Sequence, residues 1–587
     1  MSERPIFSRL VGLETEYALY LRSPGDAPGR ANRYALFRSL MQEIGRRTIV
    51  APARHAKEGS FLGNGGAVWF ETERPAAGGG LIEGATPECR GPRQVIAYQQ
   101  AQDATLGESA SQVRGPIQFR LIKNDRDGAG NIYGAQENYE AVFATGWRLW
   151  LWRAALVAMF PLVLVTWVGM WLLVLGVLAY GMFATMIYIV AELFVRRPKK
   201  LAHVLFGGDF EQLAEGVLPG PVWLESTLAI VSRVWMAPLA LVLECVLWLT
   251  AFVHVRRKML AFLVSRPILA GAGMIDEDGR FHLSDKAPAL NCLTGFGGFL
   301  NDRPIFTFGH FFKALCSDGF LAPREYLGLF AGRQRLQIAL GDSNMAETAE
   351  FLRVGTTLLV LDALEAGELP AAPRVRQPIK TLRKFCADDT LTATATLLRE
   401  EPASALQIQR FYLDACRRFL KQRPEAPAEA WQVLQQWEET LDALEQSPES
   451  LVGVLDWPTK RFLMQRAGGD ASWAQRKKID LRYHELSPEG YFEMLKTTGM
   501  VSSVVEETDV NHARRNPPPA TPAAVRSRYI REFSGGEEPL AVNWKYVFLG
   551  RGWGAKVIRL DRFLQPPSAA AKIRRAELSG AEDEADE

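Results

Sequence analysis

Cysteine is sparse in this 587-residue sequence: Cys89, Cys245, Cys292, Cys316, Cys386 and Cys416 stand far apart and never as CxxC. That scatter gives neither a zinc knuckle nor a disulfide framework, so all six are read as reduced thiols. An excess of one charge is also lacking, since 68 Lys and Arg face 66 Asp and Glu for a net charge of +2. With no basic stripe interleaved with aromatics, nucleic acid drops out as a partner class. The opening MSERPIFSRL has no charged-then-apolar leader, so the first domain is expected in the cytoplasm. What remains, 48% hydrophobic and 23% charged residues, is ordinary composition for a chain long enough to hold several domains.

Charge is almost missing from one long stretch. Residues 154–195 read AALVAMFPLVLVTWVGMWLLVLGVLAYGMFATMIYIVAELFV, with Glu192 as the only charged residue. A membrane span needs about 20 apolar residues, so this run holds about two and is expected to be a hairpin turning near Leu175 and Gly176. Arg148 and Arg153 precede it and Arg196, Arg197, Lys199 and Lys200 follow it, which places both ends on the cytoplasmic side. A second stretch, VWMAPLALVLECVLWLTAFVHV (234–255), is bounded by Arg233 and by Arg256, Arg257 and Lys258. As a third crossing it would strand the later sequence on the opposite side. It is therefore read as re-entrant, as a second hairpin from residue 222 onward, or as interfacial. Trp147, Trp150, Trp152, Trp223 and Trp235 stand near the edges of these stretches, where interfacial anchors belong.

Polar residues gather elsewhere. GLETEYALYL (12–21) reads as a strand, in which residues i and i+2 share a face, so Glu14 and Glu16 point the same way. They form either a solvated strand face or a pair of oxygen ligands for Mg²⁺. The Gly-rich segment 61–98 adds Glu71, Glu83 and Glu88. IKNDRDGAGNIYGAQENY (122–139) has turn signals at Asp127-Gly128 and Gly130-Asn131 and reads as a hairpin ending in Glu137 and Asn138. Residues 335–365 read as a strand, a GDSN turn and an amphipathic helix. GFGGFLNDRP (295–304) lacks the strand-loop-helix setting of a phosphate loop and receives no role.

Taken in order, GLETEYAL, NGG…TPEC, KNDRDGAGNIYGAQENY, LVSRPILAGAG, LGDSNMAETAEFLRVGTTLLVLDALE, LQIQRFYLDACRRFL, LDWPTKR and IDLRYHEL resemble the Pup ligase and depupylase family. The resemblance covers nearly all of the chain except residues 146–257 and the tail. It implies an α+β fold, a glutamine-synthetase-like (carboxylate-amine ligase) antiparallel sheet cradle with helices that binds ATP and Mg²⁺, and a small C-terminal domain. It also makes the transmembrane stretches one helical insertion. The expected organisation is a split catalytic domain (1–145 and 258–485), a membrane insertion (146–257), a C-terminal domain (486–566) and a disordered acidic tail (567–587). By the same resemblance Glu14, Glu16 and Glu83 are metal ligands, Thr86 and Trp544 contact the nucleotide, and Glu71 is the catalytic carboxylate.

The family pattern NGARxYxD is altered here: Ala67, Trp69 and Glu71 stand at its Arg, Tyr and Asp, and Gln136 replaces the His of HENY. The extra methylene of Glu71 moves its oxygens by about 1 Å. Losing the arginine removes a bidentate phosphate clamp. The segment TFGHFFKAL (307–315) has no counterpart in the family's TRDEPHAD. The resemblance implies a Pup–protein ligase that activates the C-terminal glutamate of a small ubiquitin-like modifier as an acyl phosphate and joins it to protein lysines. The alternatives are a depupylase or deamidase, a membrane-bound pseudoenzyme that retains nucleotide or modifier binding, and a small-molecule carboxylate-amine ligase. The expected location is a bacterial inner membrane, with lipid as a further partner and the catalytic domain in the cytoplasm.

Overall fold

The computed structural model describes residues 4–22, 32–54, 57–71, 80–114, 118–127, 130–194, 199–208, 220–299, 301–316, 324–468, 470–551 and 554–560. The acidic tail, the loop from 72 to 79, Gly128 of the expected turn and the Arg196–Arg197 pair lie outside these residues. Strand β1 (Leu10–Arg22) lies in the middle of the main sheet and alternates as its sequence predicts. Leu13, Thr15 and Tyr17 are buried on one side, and Gly12, Glu14 and Glu16 lie half-buried on the other. The other strands are β2 (Val50–Pro52), β3 (Gly59–Leu62), β4 (Ala67–Glu71), β5 (Leu81–Ala85), β6 (Cys89–Arg90), β7 (Gln118–Ile122), β8 (Ala135–Val142), β9 (Met274–Ile275), β10 (Phe281–His282), β11 (Cys292–Gly295), β12 (Pro304–Thr307) and β13 (Arg333–Ile338). The main sheet runs β11-β12-β13-β8-β1-β5-β4-β3-β2, with β6 and β7 pairing β1 off this path. Among the described residues eleven strands form this sheet, mixed rather than wholly antiparallel, because β11 and β12 run parallel.

The β3–β4 turn shows why the NGG sequence is needed. Gly65 has φ +88°, and a Cβ there would meet Ala523 Cβ at 2.8 Å. Asn64 Oδ1 accepts from the Gly66 amide at 3.0 Å. Only glycine combines that left-handed backbone with so close an approach, and the tight turn sets Ala67, Trp69 and Glu71 on β4.

Helices α1 (Arg33–Arg47) and α2 (Pro92–Gln112) contribute Phe37, Leu40, Ile44, Val95 and Ile96 to the main core. Behind the sheet the remaining family-like segments meet in a buried polar frame. Ser343 Oγ donates to Asp125 at 2.9 Å, and Asp342 accepts from the Ala272 and Asp285 amides at 2.7 and 2.9 Å. Asp456 accepts from Asn344 Nδ2 at 2.8 Å and Tyr483 Oη at 2.9 Å, while Lys460 Nζ lies 2.7 Å from Asp480. Glu137 is fully buried and paired with Arg266 at 2.5 Å. These ordered motifs mostly hold the frame, because buried polar groups are stable only when partnered.

The insertion departs from the expected hairpin. Helix α3 (Trp147–Phe194) is continuous for 48 residues, about 72 Å at 1.5 Å per residue, and passes through Leu175 and Gly176 without turning. A lone glycine in an apolar run costs about 1 kcal/mol in a helix and offers no polar turn. After α4 (Lys199–Phe206), the return is made by α5 (Val222–Thr250). Trp235 Nε1 donates to Thr166 O at 3.4 Å, a Cβ on Gly169 would come within 2.0 Å of Trp235, and the Tyr180 and Trp223 rings lie 5.6 Å apart. The two long helices are therefore antiparallel. The basic segment opening α4 then lies at the end remote from Arg148 and Arg153, not beside them as the charge flanks suggest. Both helices are long and apolar enough to cross a membrane, with mean hydropathy 2.5 and 1.8 over windows that are only 17% and 22% buried.

At the near end the insertion is part of the core. Trp152, Leu156, Met159 and Val163 form a buried stripe at helical spacing. Trp152 Nε1 donates to Leu329 O at 2.8 Å and Trp167 Nε1 to Leu315 O at 2.6 Å. Leu315 closes helix α6 (Gly309–Leu315), whose Phe311 ring lies 5.6 Å from Trp152. Two small hairpin strands follow, β14 (Thr394–Ala395) and β15 (Ala403–Ser404). The last described elements are α7 (Pro522–Phe533) and a three-stranded sheet of β16 (Leu540–Val542), β17 (Tyr546–Leu549) and β18 (Lys556–Arg559). That unit packs Ile530, Val542 and Val547 on Ala51, Phe61, Ala67 and Trp69 of the main sheet.

Candidate active site

The register places the acidic residues on adjoining rungs. Gln136, Glu14, Ala85 and Ala67 lie in line across β8, β1, β5 and β4, and Glu16, Glu83 and Trp69 occupy the next rung on the same face. Glu71 lies one alternation further along β4, opposite Leu81. Five of the six residues implied by the resemblance, namely Glu14, Glu16, Glu71, Glu83 and Trp544, thus border one sheet face. Trp544 reaches it from the C-terminal unit, its ring 4.9 Å from that of Phe61, the cross-strand partner of Ala67. Thr86 is the exception. It is buried, its Oγ1 accepts the Leu13 amide at 2.9 Å, and its backbone N–H donates to Leu13 O, so its hydroxyl splices β1 to β5.

Each carboxylate has its own partner. Glu14 accepts from Arg335 and Gln337 at 3.3 Å each, and Gln337 also donates to Gln136. Glu16 accepts from the Gly134 amide at 2.6 Å. Burial and then the nearby Glu83 charge push Glu16 up to about 8. Lys57, in the β2–β3 connection, lies 2.6 Å from Glu83 and also pairs with Glu71. Burial raises Glu71, with Lys57 opposing and Glu83 reinforcing the shift. For Glu83 burial is the largest single influence and acts upward, but the Lys57 ammonium, Lys313 and the hydrogen bond with Glu71 together outweigh it and the carboxyl falls below its ordinary value. Two neighbouring acids are thus driven apart, the electrostatic pattern of an acid/base site. The elevated member, Glu71, has the character wanted of a general base.

As a three-carboxylate Mg²⁺ cage, Glu14, Glu16 and Glu83 do not fit. Among the described residues no three His, Cys, Asp or Glu side chains come close enough to share an ion, and Glu83 is already neutralised by Lys57.

Several residues that border the charged face were not singled out from the sequence. Lys57 lies in a short connection with no periodic pattern. Arg335 and Gln337 alternate on β13 toward Glu14, a period-2 signal that was available. His310 on α6 has no partner at either ring nitrogen among the described residues. Burial, then Arg335, Lys545 and Lys313, hold it well below the usual imidazole range, so a neutral imidazole sits among cations beside the face.

Arg526 of α7 locks the capping unit in place. It donates to Gly65 O at 2.7 Å and to Glu88 at 2.6 Å, with its guanidinium 4.9 Å from the Phe61 ring and 4.7 Å from that of Trp544. A large mixed sheet whose charged face is bordered by a small C-terminal sheet, with acids tuned in opposite directions, defines the class as an α/β enzyme. Its sequence matches the profile of the Pup-ligase protein family over residues 9–548, and the chain belongs to that family. It is 26% identical over 561 residues to a Pup–protein ligase of Paenarthrobacter aurescens, covering 92% of this chain and 93% of the relative. It is 29% identical over 323 residues to a Pup deamidase/depupylase of Mycolicibacterium smegmatis, covering 53% of this chain and 61% of the relative. Its fold matches the ligase PafA in complex with the ubiquitin-like protein Pup, with TM-score 0.63, 20% identity and coverage of 98% and 96%. PafA with bound ADP matches with TM-score 0.56, 19% identity and coverage of 93% and 96%.

Proposed function

We propose that the protein is an ATP-dependent ligase that activates the C-terminal glutamate of a Pup-like modifier as an acyl phosphate and joins it to substrate lysines. The observation that carries this reading is the Glu71–Lys57–Glu83 arrangement. A half-buried carboxylate whose basicity burial raises holds an ammonium group at the charged sheet face, the contact an attacking lysine would make before giving up its proton. Similarity to the Paenarthrobacter ligase along almost the whole of both chains favours ligation. The partial but slightly higher identity to deamidase/depupylase relatives supports cleavage of the same bond as the second reading.

The cofactors of this reading are ATP and Mg²⁺, the ion entering on the nucleotide phosphates rather than into a preformed carboxylate cage. Trp544 and Phe61 offer aromatic faces beside the charged rungs, and Arg335 and Lys313 supply positive charge in place of the arginine absent at Ala67. Glu71 takes the lysine proton, and the freed amine attacks the acyl carbon with loss of phosphate. The exposed apolar helices α3 and α5 anchor the enzyme in a bacterial inner membrane, with both ends of the insertion on the cytoplasmic side. Such an anchor restricts the substrates to proteins at the bilayer.

The test is modifier-dependent ADP release by protein purified in detergent. Release that disappears in Glu71→Ala supports the ligase. ATP binding without release would replace it with a membrane-bound pseudoenzyme.

A further inference from the structure

Three acids, Glu16, Glu83 and Glu71, crowd two successive positions of one sheet face, and the group seated among them is supplied by the chain itself. The Lys57 ammonium lies 2.6 Å from Glu83 and pairs with Glu71. Its side chain is 26% exposed and that of Glu83 9%, so the contact is sheltered from solvent screening. A compact, strongly charged ammonium on a flexible stem suits this position. The implied three-carboxylate cage, by contrast, is not closed.

We infer that Lys57 is the resident cation of the acidic face. It neutralises Glu83 and Glu71 before nucleotide arrives, so the nucleotide-free protein holds no divalent ion there. As a positioning residue it also fixes the separation of Glu71 and Glu83, which lie on paired strands but on different rungs, opposite Leu81 and Trp69. Removing the ammonium leaves the buried Glu83 and half-buried Glu71 facing one another with only the more distant Lys313 as counter-charge, a state relieved by capturing a hard divalent cation.

The experiment titrates Mn²⁺ alone into nucleotide-free protein in detergent and follows the free-ion paramagnetic signal. Wild type and Lys57→Arg are expected to bind Mn²⁺ weakly. Lys57→Met keeps the aliphatic stem and loses the charge, and is expected to bind at least about 10-fold more tightly. Adding Glu83→Gln to Lys57→Met returns binding to the wild-type level. Thermal melting of each variant reports folding, and Lys57→Gln serves if the Met variant does not fold. Wild type binding Mn²⁺ as tightly as the neutral variants, or neutral variants binding as weakly as wild type, overturns the inference. Because no turnover is measured, the ligase reading can fail while this result stands, and the reverse.

Discussion

The Phe252 amide donates to the Phe143 carbonyl at 2.7 Å, with the whole apolar insertion looped out between them, and their rings meet at 5.4 Å. Phe252 adopts φ +47°, a left-handed conformation uncommon for an aromatic residue. The chain thus leaves and re-enters the catalytic domain through one hydrogen-bonded doorway. This relationship separates the insertion into a base, which belongs to the core, and a tip, which does not.

Excision of the tip is the first prediction. Joining residue 170 to residue 234 through a short flexible linker keeps Trp152, Leu156 and Val163 against the core and removes most of the exposed apolar surface. The variant should move from the membrane to the soluble fraction, with a melting temperature within about 5 °C of the parent. Retention in the membrane fraction would remove α3 and α5 from the role of anchor. Substrate profiling of the same variant should show a wider set of modified proteins.

A second prediction concerns the base. Glu71→Gln should lower ligation about 100-fold or more, the usual contribution of a general base. Glu71→Asp restores the family's acid but retracts it by about 1 Å from a site set by Lys57, so it should fall short of wild type by up to ~100-fold. Single-turnover transfer to a lysine peptide measures both. Wild-type rates in Glu71→Gln would remove Glu71 from the mechanism.

The pH dependence of stability follows from Glu16. Its carboxyl is raised to about 8 by burial and by the Glu83 charge, against 4.5 for the ordinary group. The folded protein therefore holds a proton that the unfolded chain releases between these values. The associated stabilisation is complete below pH 4.5 and lost as pH rises through 8. The melting temperature should fall between pH 5 and 9, and less steeply in Glu16→Gln. Parallel slopes in the two proteins would contradict the assignment.

Arg526 gives a prediction about the cap. Arg526→Met removes a fully buried guanidinium from Glu88, Gly65 O and two aromatic rings. Breaking a buried ion pair by removing one partner costs about 3–5 kcal/mol, which denaturant unfolding will register. Trp544 emission should shift to the red as its ring loses that cover, and an unchanged spectrum would show that the cap stays seated without the arginine.

Much of this architecture was written locally. The alternation of β1 and the ordered motifs foretold a sheet with Glu14 and Glu16 on one side, because strand periodicity is a short-range signal. The path of α3 was not legible, because an all-round apolar helix carries no periodicity, and charge flanks do not tell which partner lies alongside. Gly169 was the local sign of close packing, but its partner Trp235 is distant in sequence. Thr86 shows the same limit: its segment matches a nucleotide-contacting motif, and the contact its hydroxyl accepts, from the Leu13 amide, comes from a strand distant in sequence. Lys57 escaped because a loop lysine has no pattern until two acids from other strands are folded against it.

Helix α6 is shared between the two halves of the molecule. Phe311 packs on Trp152 and Phe143, and the Leu315 carbonyl receives Trp167, while Lys313 contributes to the field at Glu71 and Glu83 and His310 lies among Arg335, Lys545 and Lys313. Any substitution in this short helix is therefore pleiotropic. The residues that seat the apolar helices therefore share one short helix with the cations nearest the charged sheet face, so the position of the insertion and the field at Glu71 and Glu83 are mechanically joined.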